Sequence, residues 1–225
     1  MASGVALEVE QRAAHEIVEC WRKRLYDISW FMRCLNEHLA RMANAEDQCT
    51  GRFWEGRFKS QALLDEAALL TAMAYVDLNP VRAGIAATPE VSTFTSIYER
   101  IKRIRSIKEN DQEVTSMRPR LSLRPFRGDA TEHECTLPYQ LRDYLQLVDW
   151  TGRSIRDDRP GFIDSQLPPL LSRLSIDGEV WRVAMRRRGS VFGRAMGRLD
   201  VMRLHAAALG QAWVRGMRQA GRLYS

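Results

Sequence analysis

The chain has 225 residues, a net charge of +6 and 45% hydrophobic residues. This composition can bury a core in one domain of moderate size or in two small ones. The absence of a long apolar run, and the acids among the apolar residues at the N-terminus, exclude a membrane span and a secretory signal and predict a cytoplasmic protein without a membrane partner. Four widely spaced cysteines without a C-x-x-C pair predict reduced thiols with mostly a packing role, and argue against a disulfide framework or zinc knuckle.

The positive charge is concentrated at the end of the chain. Residues 182–225 hold ten arginines and one acid, a net charge of +9, which leaves −3 for the rest of the chain. A block of this kind suits a polyanion such as nucleic acid, whose phosphates give affinity through counterion release. The alternative is a solvated helical face without a ligand.

Residues 5–44 are predicted to be helical, since they contain little Gly or Pro and have apolar residues at spacings of three and four. Asp27 or Ser29 could cap the second helix of this pair. We expect one face of that helix to pack on a core; its apolar residues are Ile28, Phe31, Met32, Leu35, Leu39 and Met42.

An aromatic and basic segment follows, and it is predicted to be extended. It contains Phe53, Trp54 and Phe58 among basic residues. An isolated strand cannot satisfy its backbone groups, so this segment needs a partner strand from elsewhere in the chain.

A helix is predicted to begin at Asp65-Glu66, because acids favour the first turn. It should end at or before Asn79, because Pro80 disfavours helical geometry at the residue before it. A basic helix ending near Asn110 follows. Further helices are predicted near residues 139–148, 170–174, 179–187 and 200–217.

These elements predict a mainly α protein with a small β element. The proline-containing residues 111–138 are predicted to form a linker. It would separate residues 1–110, which contain the helix that carries Tyr75 (the tyrosine helix), from a basic helical region at residues 139–225.

Tyr75 and Asn79 are four residues apart and would share a helix face. A phenol beside an amide oxygen can serve as a nucleophile next to a ligand for a hard cation. The pattern is also typical of a core tyrosine followed by an ordinary helix stop.

The stretch GRFWEGRFKSQALLDEAALLTAMAYVDLNPVRAGI resembles the REP-associated tyrosine transposase-like group of HUH single-strand transposases. The resemblance covers about the middle third of the chain. It implies that the chain is a remnant of an α+β HUH domain followed by a helical C-terminal region. The matching signature consists of Tyr75, Val76, Asn79, Pro80, Val81, Arg82, Ala83 and Gly84.

The resemblance implies that Tyr75 is a catalytic nucleophile that forms a 5′-phosphotyrosine with single-stranded or hairpin DNA. It places Asn79 at the position of one ligand of a Mg²⁺ or Mn²⁺ ion, and it implies that a homodimer could form. Phe53 and Trp54 would contact either bases or the core, with the core favoured. The basic residues expected to bind DNA are Arg52, Arg57, Lys59 and Arg82.

The chain departs from the family at the histidines. The family's metal site needs a His-hydrophobe-His pair, whereas His15, His38, His133 and His205 include no pair at that spacing. The chain therefore resembles an N-terminally truncated member, and metal-dependent cleavage by this chain alone is not expected. The alternative function is non-catalytic nucleic-acid binding through the Arg-rich C-terminal helices. The helices predicted near residues 179–187 and 200–217 could form a helix-turn-helix, although the connection between them is long for that motif.

Overall fold

The computed structural model describes residues 2–108, 123–128, 135–155, 169–186 and 193–224. Within these ranges the protein is mainly helical with one two-stranded parallel sheet, which confirms the mainly α prediction. None of the described helices is both long and apolar enough to cross a membrane. The helices are α1 (Ala2–Leu25), α2 (Ile28–Glu46), α3 (Glu66–Asp77), α4 (Asn79–Arg82), α5 (Ser96–Lys108), α6 (Leu141–Ile155), α7 (Pro169–Arg173), α8 (Gly178–Arg186), α9 (Leu199–Ala208) and α10 (Met217–Leu223); the strands are β1 (Ala62–Leu63) and β2 (Ala195–Met196).

The chain forms two compact units, Met1–Ser60 and Gln61–Ser225. This division differs from the three regions predicted from the sequence. Most of the predicted linker lies outside the described residues, but 123–128 and 135–138 are described. They contribute buried Phe126 and Leu137, which form a parallel β-bridge. These parts of the predicted linker therefore belong to the core of the second unit.

The first unit contains α1 and α2. Asp27 caps α2, as predicted, by accepting a hydrogen bond from the backbone of Ser29 at 2.7 Å. The prediction that the apolar face of α2 packs on a core is wrong, since Phe31 is 63% exposed and Met42 is 56% exposed. No side chain among residues 8–60 is buried, because two helices and a short segment do not supply the second layer that a core needs.

The aromatic segment of the first unit is also largely open to solvent. Phe53 and Trp54 pack edge to face, with ring centroids 4.8 Å apart, and the Trp54 indole donates a hydrogen bond to the Asn36 carbonyl. Both side chains remain exposed, so the favoured prediction of core burial is wrong for them. The four cysteines are exposed as well, which corrects their predicted packing role.

The second unit is built around α3, which begins and ends where the sequence predicts. The predicted effect of Pro80 on the residue before it is wrong, however, because Asn79 is helical and begins α4. Asp65 caps the helix by accepting a hydrogen bond from the Ala68 backbone at 2.8 Å. Small residues on α3, among them Ala67, Ala68 and Ala74, are buried. They allow close packing of neighbouring elements, whose large side chains complete the core. The largest of these side chains are Trp181, Tyr139, Tyr144 and Phe126.

Asp77, the last residue of α3, joins three helices. Its buried carboxylate accepts hydrogen bonds from the Ser96 hydroxyl at 2.9 and 3.0 Å, the Ile97 backbone at 3.2 Å and the Tyr144 hydroxyl at 2.6 Å. Ser96 and Ile97 begin α5, whose unpaired N–H groups favour a carboxylate. The buried charge is stabilised by these donors, because an unpartnered carboxylate there would cost several kcal/mol.

The long helix predicted over residues 200–217 is interrupted. Helix α9 ends at Ala208, and Gly210 adopts a positive φ of 67° while its backbone donates to Ala207. Gly216, with φ of 108°, then begins α10. Glycine reaches these left-handed conformations without the steric penalty of a side chain, so both breaks have a local cause.

The Asp77 network gives a prediction about stability. Asp77→Ala would leave three donors without their acceptor, so we expect the free energy of unfolding to fall by about 3 kcal/mol in a urea titration. Asp149→Ala is the matched control, because Asp149 is exposed and its ion pair with Arg153 lies on its own helix; we expect a loss of at most about 1 kcal/mol. Similar losses for the two variants would contradict the role of Asp77.

Buried tyrosines give a prediction about pH. Burial is the main cause that raises the pKa of Tyr139, Tyr144 and Tyr224 above the ordinary value of 10.0. The folded protein therefore holds these protons above the pH at which the unfolded chain releases them, and stability is complete below about pH 10 and falls above it. We expect the free energy of unfolding to decline there by about 1.4 kcal/mol per pH unit for each tyrosine.

Urea titrations from neutral to alkaline pH would test this expectation. In Tyr144→Phe the free energy of unfolding should fall less steeply with alkaline pH, by the contribution of one tyrosine. Tyr26→Phe, at an exposed side chain, should leave it unchanged. An alkaline decline that is the same in wild type and Tyr144→Phe would refute the assignment.

Candidate nucleic-acid interface

The segment predicted to be extended is a strand only at its end. Phe53, Trp54 and Phe58 lie outside any strand, and β1 (Ala62–Leu63) finds its partner in the Arg-rich end of the chain. The Ala62 backbone donates to the Arg194 carbonyl at 2.8 Å, and the Leu64 backbone donates to the Met196 carbonyl at 2.9 Å. These bonds align β1 and β2 in parallel. The connection before α9 therefore contains a strand paired with β1, so the described part of this connection is not the turn of a helix-turn-helix.

Asp65 ties the start of the tyrosine helix to the same basic segment. One carboxylate oxygen caps α3, and the other accepts a hydrogen bond from the Arg198 backbone at 2.5 Å. A side chain at Gly197 would come within 3.0 Å of both Asp65 and Leu64. The small residue at 197 therefore permits the close approach that this double hydrogen bond requires.

The structure brings Tyr75, Asn79 and Arg82 together. Tyr75 is half-buried near the end of α3, and the Arg82 guanidinium lies 3.7 Å from the centroid of its ring. The same guanidinium donates a hydrogen bond to the side-chain oxygen of Asn79, three residues earlier on α4. The phenol and the amide predicted to share a face are thus neighbours of one arginine, and this arginine supplies the positive charge at the site.

This arrangement does not fit the divalent ion that the family resemblance implies. The Asn79 oxygen, the ligand atom in that scheme, accepts a hydrogen bond from the cationic Arg82. In the parts of the chain that the structure describes, no three His, Cys, Asp or Glu side chains form a group that could hold a metal ion. A single amide oxygen is a weak ligand for Mg²⁺, which prefers several oxygen ligands in octahedral geometry.

Three of the predicted DNA-binding residues belong to the first unit. Arg52 is exposed and donates to the carbonyls of Trp54 at 2.8 Å and Glu55 at 2.9 Å, so its guanidinium holds the local turn. Arg57 and Lys59 are exposed. Tyr75, Asn79 and Arg82 belong to the second unit.

The basic segment over residues 193–224 presents its charge to solvent. Its six arginines are all exposed. Its one acid is Asp200, whose Oδ1 lies 3.8 Å from Nε of Arg198. The other arginines on or beside α9 and α10 form no ion pair with a described carboxylate; they are Arg203, Arg215, Arg218 and Arg222.

Sequence reasoning missed one exposed aromatic residue in this segment. Trp213 is 61% exposed, in the turn between α9 and α10. The two glycines on either side of it, Gly210 and Gly216, could have indicated a turn. The prediction of one helix over residues 200–217 overlooked them.

No family model matches the chain, and no curated protein or solved structure matches it either.

Proposed function

We propose that this chain is a DNA-binding protein of the transposase-like type, in which the tyrosine helix and the basic C-terminal segment act as one DNA-facing unit. The observation that carries the proposal is the pairing of β1 with β2. It joins α3 to the exposed arginines of residues 193–224 by backbone hydrogen bonds. The signature residues and the positive charge therefore belong to one compact unit.

The charge of the basic segment supports a polyanionic partner. Exposed arginines that form no ion pair with a described carboxylate are open to phosphate oxygens, which they can bind in a bidentate manner. Keeping several like charges in one segment costs stability through mutual repulsion, and this cost is removed when phosphates neutralise them. Binding would release counterions from the DNA and would weaken steeply as salt is raised.

The reaction associated with the resembling family is cleavage and rejoining of single-stranded DNA through a 5′-phosphotyrosine. In that reaction the Tyr75 hydroxyl would attack a phosphodiester, and the 3′-oxygen would leave with the bonding electrons and take up a proton. Arg82 could neutralise charge on the phosphate. Because the donors around Asn79 do not fit a divalent ion, we propose DNA binding without autonomous cleavage for this chain.

The salt dependence of DNA binding tests this function. Measured by fluorescence anisotropy with a labelled oligothymidine, log K should fall linearly with log salt concentration, by about 0.7 per phosphate contact on a single strand. Arg203→Ala combined with Arg218→Ala should reduce the slope by about 1.4, two contacts at about 0.7 each. Arg153→Ala is the control, because Arg153 is also exposed but pairs with Asp149. Salt-independent binding, or an equal effect of the control, would reject the proposal.

A covalent-adduct assay tests the catalytic part. After incubation with hairpin-containing single-stranded DNA and Mn²⁺, denaturing electrophoresis should show no protein–DNA adduct, because the described residues include no group of three metal-ligating side chains beside Asn79. An adduct that forms with the wild type and is lost in Tyr75→Phe would show that the chain cleaves DNA by itself. Tyr98→Phe, at another tyrosine of the second unit, is the control for that outcome.

The second candidate is a nucleic-acid-binding module in which the tyrosine helix is purely structural. It is favoured by the engagement of Arg82 with both Tyr75 and Asn79. In this case Arg82→Ala would leave the affinity for DNA unchanged, whereas the Arg203/Arg218 double variant would still weaken it. A loss of affinity in Arg82→Ala would favour the first candidate.

A further inference from the structure

Trp213 occupies a turn that is anchored on both sides. Before it, the Gln211 backbone donates to the Ala206 carbonyl at 2.9 Å. After it, Val214 packs against the core, and the Arg215 carbonyl accepts a hydrogen bond from Gly193 at 3.3 Å. The turn thus holds the indole at the surface, where it makes no hydrogen bond or ring contact with the described residues.

The chemistry around this turn combines cations with exposed apolar surface. Arg215 follows Trp213 by two residues, and Leu209, at the start of the turn, is 56% exposed. Arg218 and Arg222 are four residues apart on α10 and so share one face of it. Isolated exposed apolar residues are common, but an exposed tryptophan followed closely in sequence by arginines that form no ion pair with a described carboxylate offers both a stacking surface and phosphate-binding groups.

We propose that Trp213 and its neighbouring arginines form a binding site for single-stranded DNA in which the indole stacks on an unpaired base. The inference rests on the proposed DNA-binding function and adds the residue that recognises the unpaired state. Bases of a duplex are stacked on one another and do not offer a free face to the indole, whereas every unpaired base does. The arginines hold the backbone through phosphate contacts that are independent of sequence.

An anionic membrane surface is the competing partner, because tryptophan and arginine also suit lipid headgroups. A membrane-bound helix needs a broad apolar face opposite its charged face. On α9 the exposed large apolar side chain is Leu204, and Arg203 is exposed beside it. Single-stranded DNA therefore fits this surface better than a bilayer does.

A comparison of two strands separates stacking from charge. The full chain is titrated with oligothymidine and with an abasic strand of the same length, which has the same phosphates but no bases. We expect the wild type to prefer oligothymidine by about tenfold, the contribution of one base stacked on an aromatic ring. Trp213→Ala should bind the two strands equally, while Trp213→Phe should keep most of the preference.

Two controls address folding and site specificity. Leu209→Ala removes another exposed apolar side chain of the same turn and should keep the preference for bases. Circular dichroism and urea titration should be unchanged in Trp213→Ala, because the side chain is largely exposed. Salt-dependent binding of both strands without any preference would overturn the stacking site but leave the proposed function standing.

The remaining outcomes bear on each proposal separately. Failure to bind either strand would overturn the proposed function, and the stacking site with it. Binding to anionic phospholipid vesicles that is lost in Trp213→Ala, together with unchanged oligothymidine binding in that variant, would assign the surface to a membrane and reject the DNA site. A preference for bases that persists in Trp213→Ala would also reject it.

Discussion

The backbone pairing of β1 with β2 is the constraint on which the proposed DNA-binding surface depends. It joins residues more than 130 positions apart, as the hydrogen bond from Arg198 to Asp65 illustrates with a separation of 133 residues. Such long-range contacts cost loop-closure entropy. The same backbone hydrogen bonds pair polar groups of β1, just before α3, and hold the start of the basic segment in place. The pairing acts together with the hydrogen bond from Arg198 to Asp65, and with the one between the Thr71 and Tyr224 hydroxyls, to fix the basic segment against the tyrosine helix.

A second constraint is the buried carboxylate of Asp77. A charge in the core is costly unless its oxygens are saturated with hydrogen bonds. Here a hydroxyl and a backbone group at the start of α5, and the phenol of Tyr144 on α6, provide them. The end of α3 therefore has to meet these two helices in one geometry. The neighbouring site of Tyr75, Asn79 and Arg82 is built on this fixed end of the helix.

The first unit shows how amphipathic periodicity can mislead. The apolar residues of α2 recur at helical spacing, which predicted the helix correctly but also predicted a buried face. Periodicity records which residues share a face and does not supply the layer that covers it. Phe31 and Met42 consequently remain exposed although they follow the pattern of a core stripe.

The sequence alone determined the local features. The starts of α2 at Asp27 and of α3 at Asp65 follow from capping groups, which act within one helical turn. The end of α3 falls where it was predicted but not for the predicted reason, because Asn79, the residue before Pro80, is helical and begins α4. The concentration of arginine near the C-terminus was likewise visible from composition. The same local reasoning missed the break after Ala208, although Gly210 was there to indicate it.

Tertiary structure decided the features that depend on distant residues. They include the pairing of β1 with β2, the saturation of the Asp77 carboxylate, the exposed apolar face of α2 and the surface position of Trp213. The position of Arg82 over Tyr75 depended on the packing of α4 against α3 and on the choice of side-chain rotamer. Sequence spacing specifies which groups lie on one turn of a helix, whereas burial and pairing depend on which segments meet in space, and that is set by the packing of the whole unit.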